Sequence, residues 1–386
     1  MIKIVLFGAG TLGKNVHQAI RKDFAKVVAF VDNDVKKHDT YLLGIKVYAP
    51  NKLKTTDFDY IFIASMYVDE IYNQLVELGI SDEKIISQNT NRNITEKILI
   101  ELNDEEFLKK RFRQRVGREL NLENPIYFND KLQWLKLNWY DPVATKCADK
   151  YEVREIIKEK IGEEYLNELL AVYDSVDEID IDKLPDKFVL KANHSSGQNL
   201  IVADKNKVNW EDEFKNMRRW LKTNYYWSKR EWVYKDIKPR IIAEKYIEDL
   251  ATGKEDVYKI FYFHGKPKFL YVENDMKMLS DFYDINWNKL NVTQHYKSSK
   301  TIREKPKDID MCFELGRKLA EAFPHARIDF YIIKGRILFS EVTFFNWSGL
   351  SKFNPEEYDE LFGSYLDLTT IIDKRYTPKI CKGESN

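Results

Sequence analysis

Two short runs in the last third of the chain predict a β-hairpin. Residues 326–331 and 338–343 alternate polar and apolar side chains, and Lys334–Gly335 lies between them. Because successive side chains of a strand point to opposite faces, the hairpin should have one polar face and one face packed against a core. We expect the polar face to carry Arg327, Asp329, Glu341 and Thr343, and the core face to carry Ile328, Phe330, Leu338 and Val342.

The two carboxylates of this polar face would point to one spot. Mg²⁺ takes one or two carboxylates together with nucleotide phosphates, and an arginine beside them can hold a carboxylate or phosphate through two parallel hydrogen bonds. Asp329 and Glu341 therefore predict a metal site next to Arg327. Taken alone, the pattern also fits a solvated strand face with a salt bridge.

Length and charge exclude several classes of protein. A chain of 386 residues is too long for one ordinary core, so two or three domains are expected. Lys+Arg and Asp+Glu balance at 62 each, which gives no bias toward nucleic acid or an anionic membrane and favours a small substrate. No apolar run approaches the roughly 18 residues that span a bilayer. The three cysteines are far apart, and their odd number suggests a reducing compartment, so we expect a soluble cytoplasmic protein.

The first 90 residues alternate strands and helices. Apolar runs end at Phe7 and cover 27–31 and 60–64, with helical segments from Thr11 and through Leu75. Such alternation predicts a Rossmann-like parallel sheet covered by helices, so the fold class is α/β here and α+β beyond. We place this domain at 1–90, a charged helical linker at 91–120 and a second domain at 121–386. In the second domain, residues 130–137 predict an amphipathic helix, and strand signals dominate between Phe188 and Phe345.

The first turn is rich in glycine. Gly8, Gly10 and Gly13 lie between the first strand and helix, where they would let a pyrophosphate approach the helix N-terminus. Asp32 ends the second strand, where an acid would bind ribose hydroxyls. The pattern leaves open a dinucleotide, a sugar nucleotide or no nucleotide, and we favour a structural or substrate-docking role.

The second domain contains a strand that ends in lysine. Lys191 follows the apolar residues 188–190, and a turn of small polar residues separates it from the strand 200–202. Backbone N–H groups of such a turn can close over phosphate oxygens while the lysine supplies a positive charge. A tight polar hairpin with an exposed lysine is the alternative. His194 in this turn fits a hydrogen-bonding cap better than a base.

Residues 241–247 predict a strand that ends in a polar pair and an aromatic. Its extended backbone suits an adenine edge, and Tyr246 and Ile247 would provide apolar walls. Downstream, Glu255 or Asp256 could bind ribose, and Lys259 of the next strand could face phosphate. Each of these could equally be an ordinary surface charge.

The order of these features resembles the ATP-grasp fold, as in D-alanine:D-alanine ligase and glutathione synthetase. More narrowly, residues from about 105 to 370 resemble the TupA-like ATP-grasp proteins of bacterial cell-surface polymer biosynthesis. The resemblance is carried by the segments 124–125, 128–137, 149–154, 184–191, 231–240 and 244–246. The N-terminal unit resembles Rossmann-like domains that precede ATP-grasp modules or accompany sugar-modifying enzymes.

This resemblance implies roles for individual residues. Lys150 and Lys191 would bind ATP phosphates under a flap formed by Ser195, Ser196, Gly197 and Gln198. Adenine would be bound by Glu244, Lys245, Tyr246 and Ile247, and ribose by Asp256. Asp329 and Glu341 would bind Mg²⁺, and the catalytic set would be Arg327, Lys191 and Lys259.

The chain departs from the family pattern at three places. Thr343 replaces the usual asparagine after the metal-binding glutamate and still offers an oxygen to a metal. Lys277 stands near the position of an expected arginine, and the turn 344–349 is unusually aromatic.

The resemblance implies an ATP-dependent carboxylate–amine ligase that acts on a component of a surface polysaccharide. Its substrates would be a small carboxylate and an amine, possibly sugar-linked, and its cofactors ATP and Mg²⁺. The alternatives are an ATP-grasp phosphotransferase, an NAD-dependent oxidoreductase of the N-terminal domain, and a binding module with an inert ATP site.

Overall fold

The computed structural model describes residues 1–87, 94–95, 98–99, 103–251, 255–274 and 276–371. The chain divides into two compact units. The first comprises 1–103 with 222–228, and the second comprises 104–221 with 229–386. Most of the predicted linker before residue 103, and Cys381, lie outside the described residues.

The first unit is built on a parallel sheet, as the sequence predicts. Its strands are β1 (Ile2–Phe7), β2 (Ala25–Val31), β3 (Tyr41–Leu42), β4 (Ile45–Tyr48), β5 (Tyr60–Ile63) and β6 (Ile85–Ile86), and its helices include α1 (Thr11–Ala19) and α2 (Val68–Glu77). The strand order is β3-β4-β2-β1-β5-β6, and only β3 pairs in antiparallel fashion. Apolar side chains cover both faces of this sheet, which explains the continuous apolar runs of β1 and β5.

The second unit contains two antiparallel sheets. The helices after residue 103 are α3 (Asp104–Val116), α4 (Phe128–Asn138), α5 (Pro142–Ala148), α6 (Val153–Lys160), α7 (Trp210–Lys222), α8 (Tyr226–Lys229), α9 (Glu248–Ala251), α10 (Ile309–Ala320) and α11 (Glu357–Ser364). They lie in the second unit, except that the last residue of α7 and residues 226–228 of α8 belong to the first. The smaller sheet has the order β7-β10-β8-β9, and its strands are β7 (Leu169–Tyr173), β8 (Phe188–Ala192), β9 (Asn199–Val202) and β10 (Ile241–Lys245). The larger sheet has the order β13-β12-β11-β14-β15, and its strands are β11 (Val257–Phe263), β12 (Lys266–Asn274), β13 (Leu279–Asp284), β14 (His325–Ile333) and β15 (Arg336–Thr343).

The predicted hairpin is β14–β15, with one difference from its predicted pattern. Arg327 pairs with Thr343 and Asp329 pairs with Glu341, but Phe330 then pairs with Phe339, so Ser340 is an extra residue in a β-bulge. The bulge reverses the side-chain alternation of β15. Leu338 therefore lies opposite Tyr331, on the face of Asp329, so it is buried as expected but does not share the face of Ile328 and Phe330 as predicted.

Helix α4 differs from the amphipathic helix that the sequence predicts. Its buried residues include polar ones, among them Asp130, Gln133 and Lys136. The Gln133 side-chain amide donates to the carbonyls of Ser348 and Gly349, at 2.8 and 2.9 Å. This helix therefore holds the turn that follows β15 rather than presenting a polar face to water.

None of the helices among the described residues is both long enough and apolar enough to cross a membrane.

Candidate active site

The two sheets of the second unit border a cavity of about 300 Å³. The face of the smaller sheet contributes Val189, Lys191, Asn199, Ile201 and Glu244, and the larger sheet contributes Tyr331, Leu338, Ser340 and Glu341. Lys150, Val153 and Arg154 close the cavity from the segment that joins α5 and α6 and from the start of α6. The lining thus combines an apolar part with lysines and carboxylates, as a nucleotide site requires.

Glu244 connects two cations in this cavity. Its carboxylate accepts from Lys191 Nζ at 2.7 Å and from Arg154 Nη1 at 3.3 Å. In the pairing of β8 with β10, Lys191 lies opposite Ile242. Glu244 follows Ile242 by two residues, so its side chain lies on the same face as that of Lys191. Glu244 therefore holds the Lys191 ammonium group in the cavity.

The turn between β8 and β9 lies over the second lysine of the cavity. Lys150 Nζ donates to the Ser195 carbonyl, and Ser195 Oγ donates to Gln198 Oε1 at 2.6 Å. Gly197 has φ +80°, which favours glycine, and both Gly197 and Gln198 line the cavity, whereas Ser196 is exposed. The turn is thus fixed at its base and open at its tip.

His194 is buried at the base of this turn. Its Nε2 lies 2.9 Å from the Trp220 carbonyl, and its Nδ1 lies 3.1 Å from Asn193 Oδ1. These contacts fit a structural cap, as expected.

Arg327 gathers the polar side chains of the β14–β15 hairpin. Its guanidinium donates to both oxygens of Asp329 at 2.7 Å, to Glu341 Oε1 at 2.8 Å and to Thr343 Oγ1 at 3.0 Å. The Arg327 Nη1 atom also donates to Asn346 Oδ1 at 2.7 Å. The predicted polar face therefore exists, and Glu341 connects it to the cavity.

Burial and charge shift the pKa values of this cluster in different directions. Desolvation raises the pKa of Asp329 to about 6 although Arg327 opposes the shift. Desolvation would also raise the pKa of Glu341, but Arg327, Lys259 and Lys150 outweigh it and leave that pKa lowered. Burial lowers the pKa of Lys150. The site therefore favours the ionised form of Glu341 more strongly than that of Asp329.

The oxygens around Arg327 fit a divalent cation. A single nitrogen, Nη2, lies within 3.0 Å of oxygens from Asp329, Glu341 and Thr343, so the guanidinium stands where a hard cation could bind the same three groups. Among the described residues, no group of three or more His, Cys, Asp or Glu side chains forms a metal site of its own. The candidate Mg²⁺ ligands are thus two carboxylates and a hydroxyl.

Lys259 lies on the same sheet face as Asp329. The two residues pair across β11 and β14, and Lys259 Nζ forms an ion pair with Glu273 of β12. Desolvation opposes the charge of Lys259, but Tyr271, Asp329 and Glu273 outweigh it and raise its pKa. Lys259 therefore stays protonated beside the cluster.

Two of the predicted nucleotide contacts lie away from the cavity. Asp256 forms an ion pair with Arg303 and accepts from Asn274 Nδ2 at 3.0 Å. The Tyr246 ring packs against the Lys187 ammonium group at 5.4 Å, whereas Lys245 and Ile247 on either side of it line the cavity. The structure therefore does not bring Asp256 and Tyr246 together with the other predicted residues.

The glycine-rich turn of the first unit is closely packed. A Cβ on Gly13 would lie 1.9 Å from the Gly8 carbonyl oxygen, whereas a Cβ on Gly10 would meet no atom within 4 Å. Asp32 accepts from the Ala9 backbone N–H at 2.7 Å and from Lys37 Nζ at 2.9 Å. Asp32 and two of the glycines thus have structural contacts that do not require a ligand.

Three polar residues beside the site were not predicted. Arg154 binds Glu244, Asn346 binds Arg327, and Glu273 binds Lys259. A signal existed for Glu273, because it follows Tyr271 at the two-residue spacing of one strand face.

A cavity between two antiparallel sheets, lined by Lys150, Lys191 and Glu341, is the arrangement that the resemblance to ATP-grasp proteins implies. The sequence model of the TupA-like ATP-grasp family matches residues 130–367, which is more than half of the chain. The chain therefore belongs to this family. Residues 1–86 match the N-terminal domain of C2185-like proteins. A comparison with curated proteins gives no match.

Solved structures with similarity to the chain include two ligases and a dehydrogenase. D-alanine–D-alanine ligase from Bacillus anthracis complexed with ATP has 14% identity and a TM-score of 0.30, and 89% of this chain and 85% of that chain are covered. Phosphoribosylamine–glycine ligase from Thermotoga maritima has 13% identity and a TM-score of 0.30, with 89% and 68% covered. UDP-D-quinovosamine 4-dehydrogenase from Vibrio fischeri has 23% identity and a TM-score of 0.19, with 26% and 88% covered.

Proposed function

We propose that the protein is an ATP-dependent carboxylate–amine ligase that works through an acyl phosphate. The observation that carries this proposal is the Arg327 cluster, in which Asp329 and Glu341 adjoin a cavity that also contains Lys150 and Lys191. The described residues of this site supply cations and candidate metal ligands but no activated nucleophile, which suits direct attack of a substrate carboxylate on the γ-phosphate.

The chain's own residues divide the work of this reaction. Lys150 and Lys191 would neutralise phosphate oxygens, and the turn 195–198 would exclude water from them. Arg327 would stabilise the acyl phosphate with its positive charge. Asp329, Glu341 and Thr343 would hold Mg²⁺, which when bound neutralises charge on the terminal phosphates.

We further propose a cytoplasmic step in capsule or surface-polysaccharide biosynthesis, with a sugar-linked carboxylate or amine as substrate. This proposal follows from the resemblance to TupA-like proteins. The first unit would dock substrate or serve the fold, because Asp32, which a dinucleotide would need, already binds Ala9 and Lys37.

The test combines ATP and Mg²⁺ with pools of carboxylates that include amino acids and hexuronates, and it separates ADP from AMP. Hydroxylamine is added because it converts an acyl phosphate to a hydroxamate, whereas a stable phosphorylated product would indicate a phosphotransferase. Carboxylate-dependent ADP and hydroxamate are expected. Formation of AMP and pyrophosphate would overturn the proposal, and NAD(P)H oxidation that is lost in Gly10→Trp would favour the oxidoreductase.

Matched variants locate the reaction in the cavity. Asp329→Asn and Glu341→Gln should abolish ADP formation, since each removes a charge from the predicted metal site. Glu314→Gln, on the exposed face of α10, controls for the change in net charge and should retain the parent rate.

A further inference from the structure

The sheet face that carries Asp329 contains a third carboxylate. Glu273 pairs with Val257, Val257 pairs with Tyr331, and Tyr331 lies two residues from Asp329 on the same strand. Residues that lie opposite each other in antiparallel strands share a face, so Glu273 and Asp329 point to the same side of the sheet.

One oxygen of this carboxylate has no hydrogen-bond partner. Glu273 is only 3% exposed, and its Oε1 atom pairs with Lys259. Its Oε2 atom is buried and makes no hydrogen bond to any residue that the structure describes. Because an unsatisfied buried carboxylate oxygen is costly, the pattern indicates a cationic or N–H donor that the described residues do not supply.

We propose that Glu273 binds the amino group of the amine substrate through this oxygen. The inference rests on the proposed ligase function and assigns a binding position to the amine, one of the two substrates. The other carboxylates of the face are committed, because Asp329 and Glu341 both bind Arg327 and form the predicted metal site. An ammonium group is the ligand class that a lone buried carboxylate oxygen selects.

The assignment also accounts for the proton that is released when the amine attacks the acyl phosphate. A primary amine reaches the site as an ammonium ion and must lose a proton before its nitrogen attacks the acyl carbon. The nitrogen–carbon bond forms as the carbon–oxygen bond to phosphate breaks, and inorganic phosphate leaves. Glu273, the carboxylate that binds the ammonium group, accepts this proton as the nitrogen attacks.

A comparison of two nucleophiles distinguishes binding of the ammonium group by Glu273 from a general effect of Glu273 on the site. Ammonium chloride supplies a charged amine, and hydroxylamine supplies an uncharged one at neutral pH. With ATP, Mg²⁺ and the carboxylate that gives most ADP in the parent protein, amide and hydroxamate formation are each measured against nucleophile concentration. Glu273→Gln should raise the ammonium concentration for half-maximal rate roughly tenfold or more and should change the hydroxamate rate less than about twofold.

Comparison variants give the outcomes distinct meanings. If Glu273 acted only by orienting Lys259, Glu273→Gln would lose hydroxamate formation in parallel with Lys259→Met, and that result would overturn the proposal. An unchanged ammonium dependence would overturn it as well. Should Glu273→Gln fail to fold, Glu273→Asp keeps the charge but retracts the oxygen by one methylene, and it should show the same selective increase. A parent protein that forms no hydroxamate with any carboxylate would instead refute the ligase function itself.

Discussion

Lys136 offers a test of the structure that does not depend on activity. Its side chain lies in the interior, where Nζ contacts the Ser348 carbonyl at 2.9 Å, the Ser348 hydroxyl at 2.8 Å and the Lys229 carbonyl at 3.0 Å. Burial lowers the pKa of Lys136 from 10.5 to about 7. The Nζ group donates to all three oxygens, so burial rather than these contacts is what disfavours its charged form. The perturbation is Lys136→Met, which keeps a side chain of similar length.

The magnitude follows from proton linkage. Between pH 7 and 10.5 the unfolded chain binds a proton at this lysine that the folded protein does not bind, so the free energy of unfolding rises with pH in that window. The rise approaches about 1.4 kcal/mol per pH unit. Between pH 7 and 9 it amounts to about 2–3 kcal/mol for this one group. Below pH 7 the lysine is charged in both states, and the cost of burying the charge is fully present.

The assay is urea unfolding of the parent protein and Lys136→Met at pH 6 and pH 9. The free energy of unfolding of the parent minus that of the variant should be larger at pH 9 than at pH 6 by about 2–3 kcal/mol. Other titrating groups are common to both proteins and cancel in the difference. A difference that does not change between the two pH values, or that falls as pH rises, would show that Lys136 is not buried as a neutral amine.

Further variants test the glycine-rich turn and the cavity. Gly13→Ala should lower the free energy of unfolding by about 2 kcal/mol or more because its Cβ would meet the Gly8 carbonyl at 1.9 Å, whereas Gly10→Ala should be close to neutral; equal effects in thermal unfolding would contradict the described packing. Lys191→Ala should weaken ATP binding in calorimetric titration and nearly abolish ADP formation, and an unchanged affinity would remove the lysine from the site. Gly197→Pro should reduce turnover more than ATP affinity, because φ +80° at the tip of the turn is closed to proline; a parallel loss of both would argue against a separate closing step.

The parts of the fold that local patterns control were predictable. Alternation at residues 326–331 and 338–343 gave the β14–β15 hairpin and the shared face of Arg327, Asp329, Glu341 and Thr343. The apolar run before Lys191 gave β8 in the same way. These predictions succeed because a strand's side-chain period is a property of its own backbone.

Features that depend on distant partners were not predictable. Lys136 and Gln133 looked like one side of an amphipathic helix, but their partners at Ser348 and Gly349 lie more than two hundred residues further along the chain. The strand β7 lies before the region in which strands were expected, and it forms an edge of the smaller sheet. Burial of a polar side chain is decided by the tertiary partner rather than by its own segment.

The site residues divide along the same line. Glu273 shares its side of the sheet with Asp329 only because β12 pairs with β11 and β11 pairs with β14, and no single segment contains that information. Asp256 and Tyr246 illustrate the converse, since each stands at the expected place in the sequence but contacts Arg303 or Lys187 instead of the cavity. Order along the chain thus indicates an element more securely than it indicates where a side chain points.

The extra residue at Ser340 has a consequence for how a ligand is held. In a regular strand, residues three apart lie on opposite sides, yet Leu338 and Glu341 both border the cavity because the bulge intervenes. Three residues of extended chain cover about 10 Å, so one continuous strand offers an apolar contact and an acid at a fixed separation. A bound molecule that spans both would meet an apolar side chain and a carboxylate on one strand, so β15 itself would set the spacing between these two contacts.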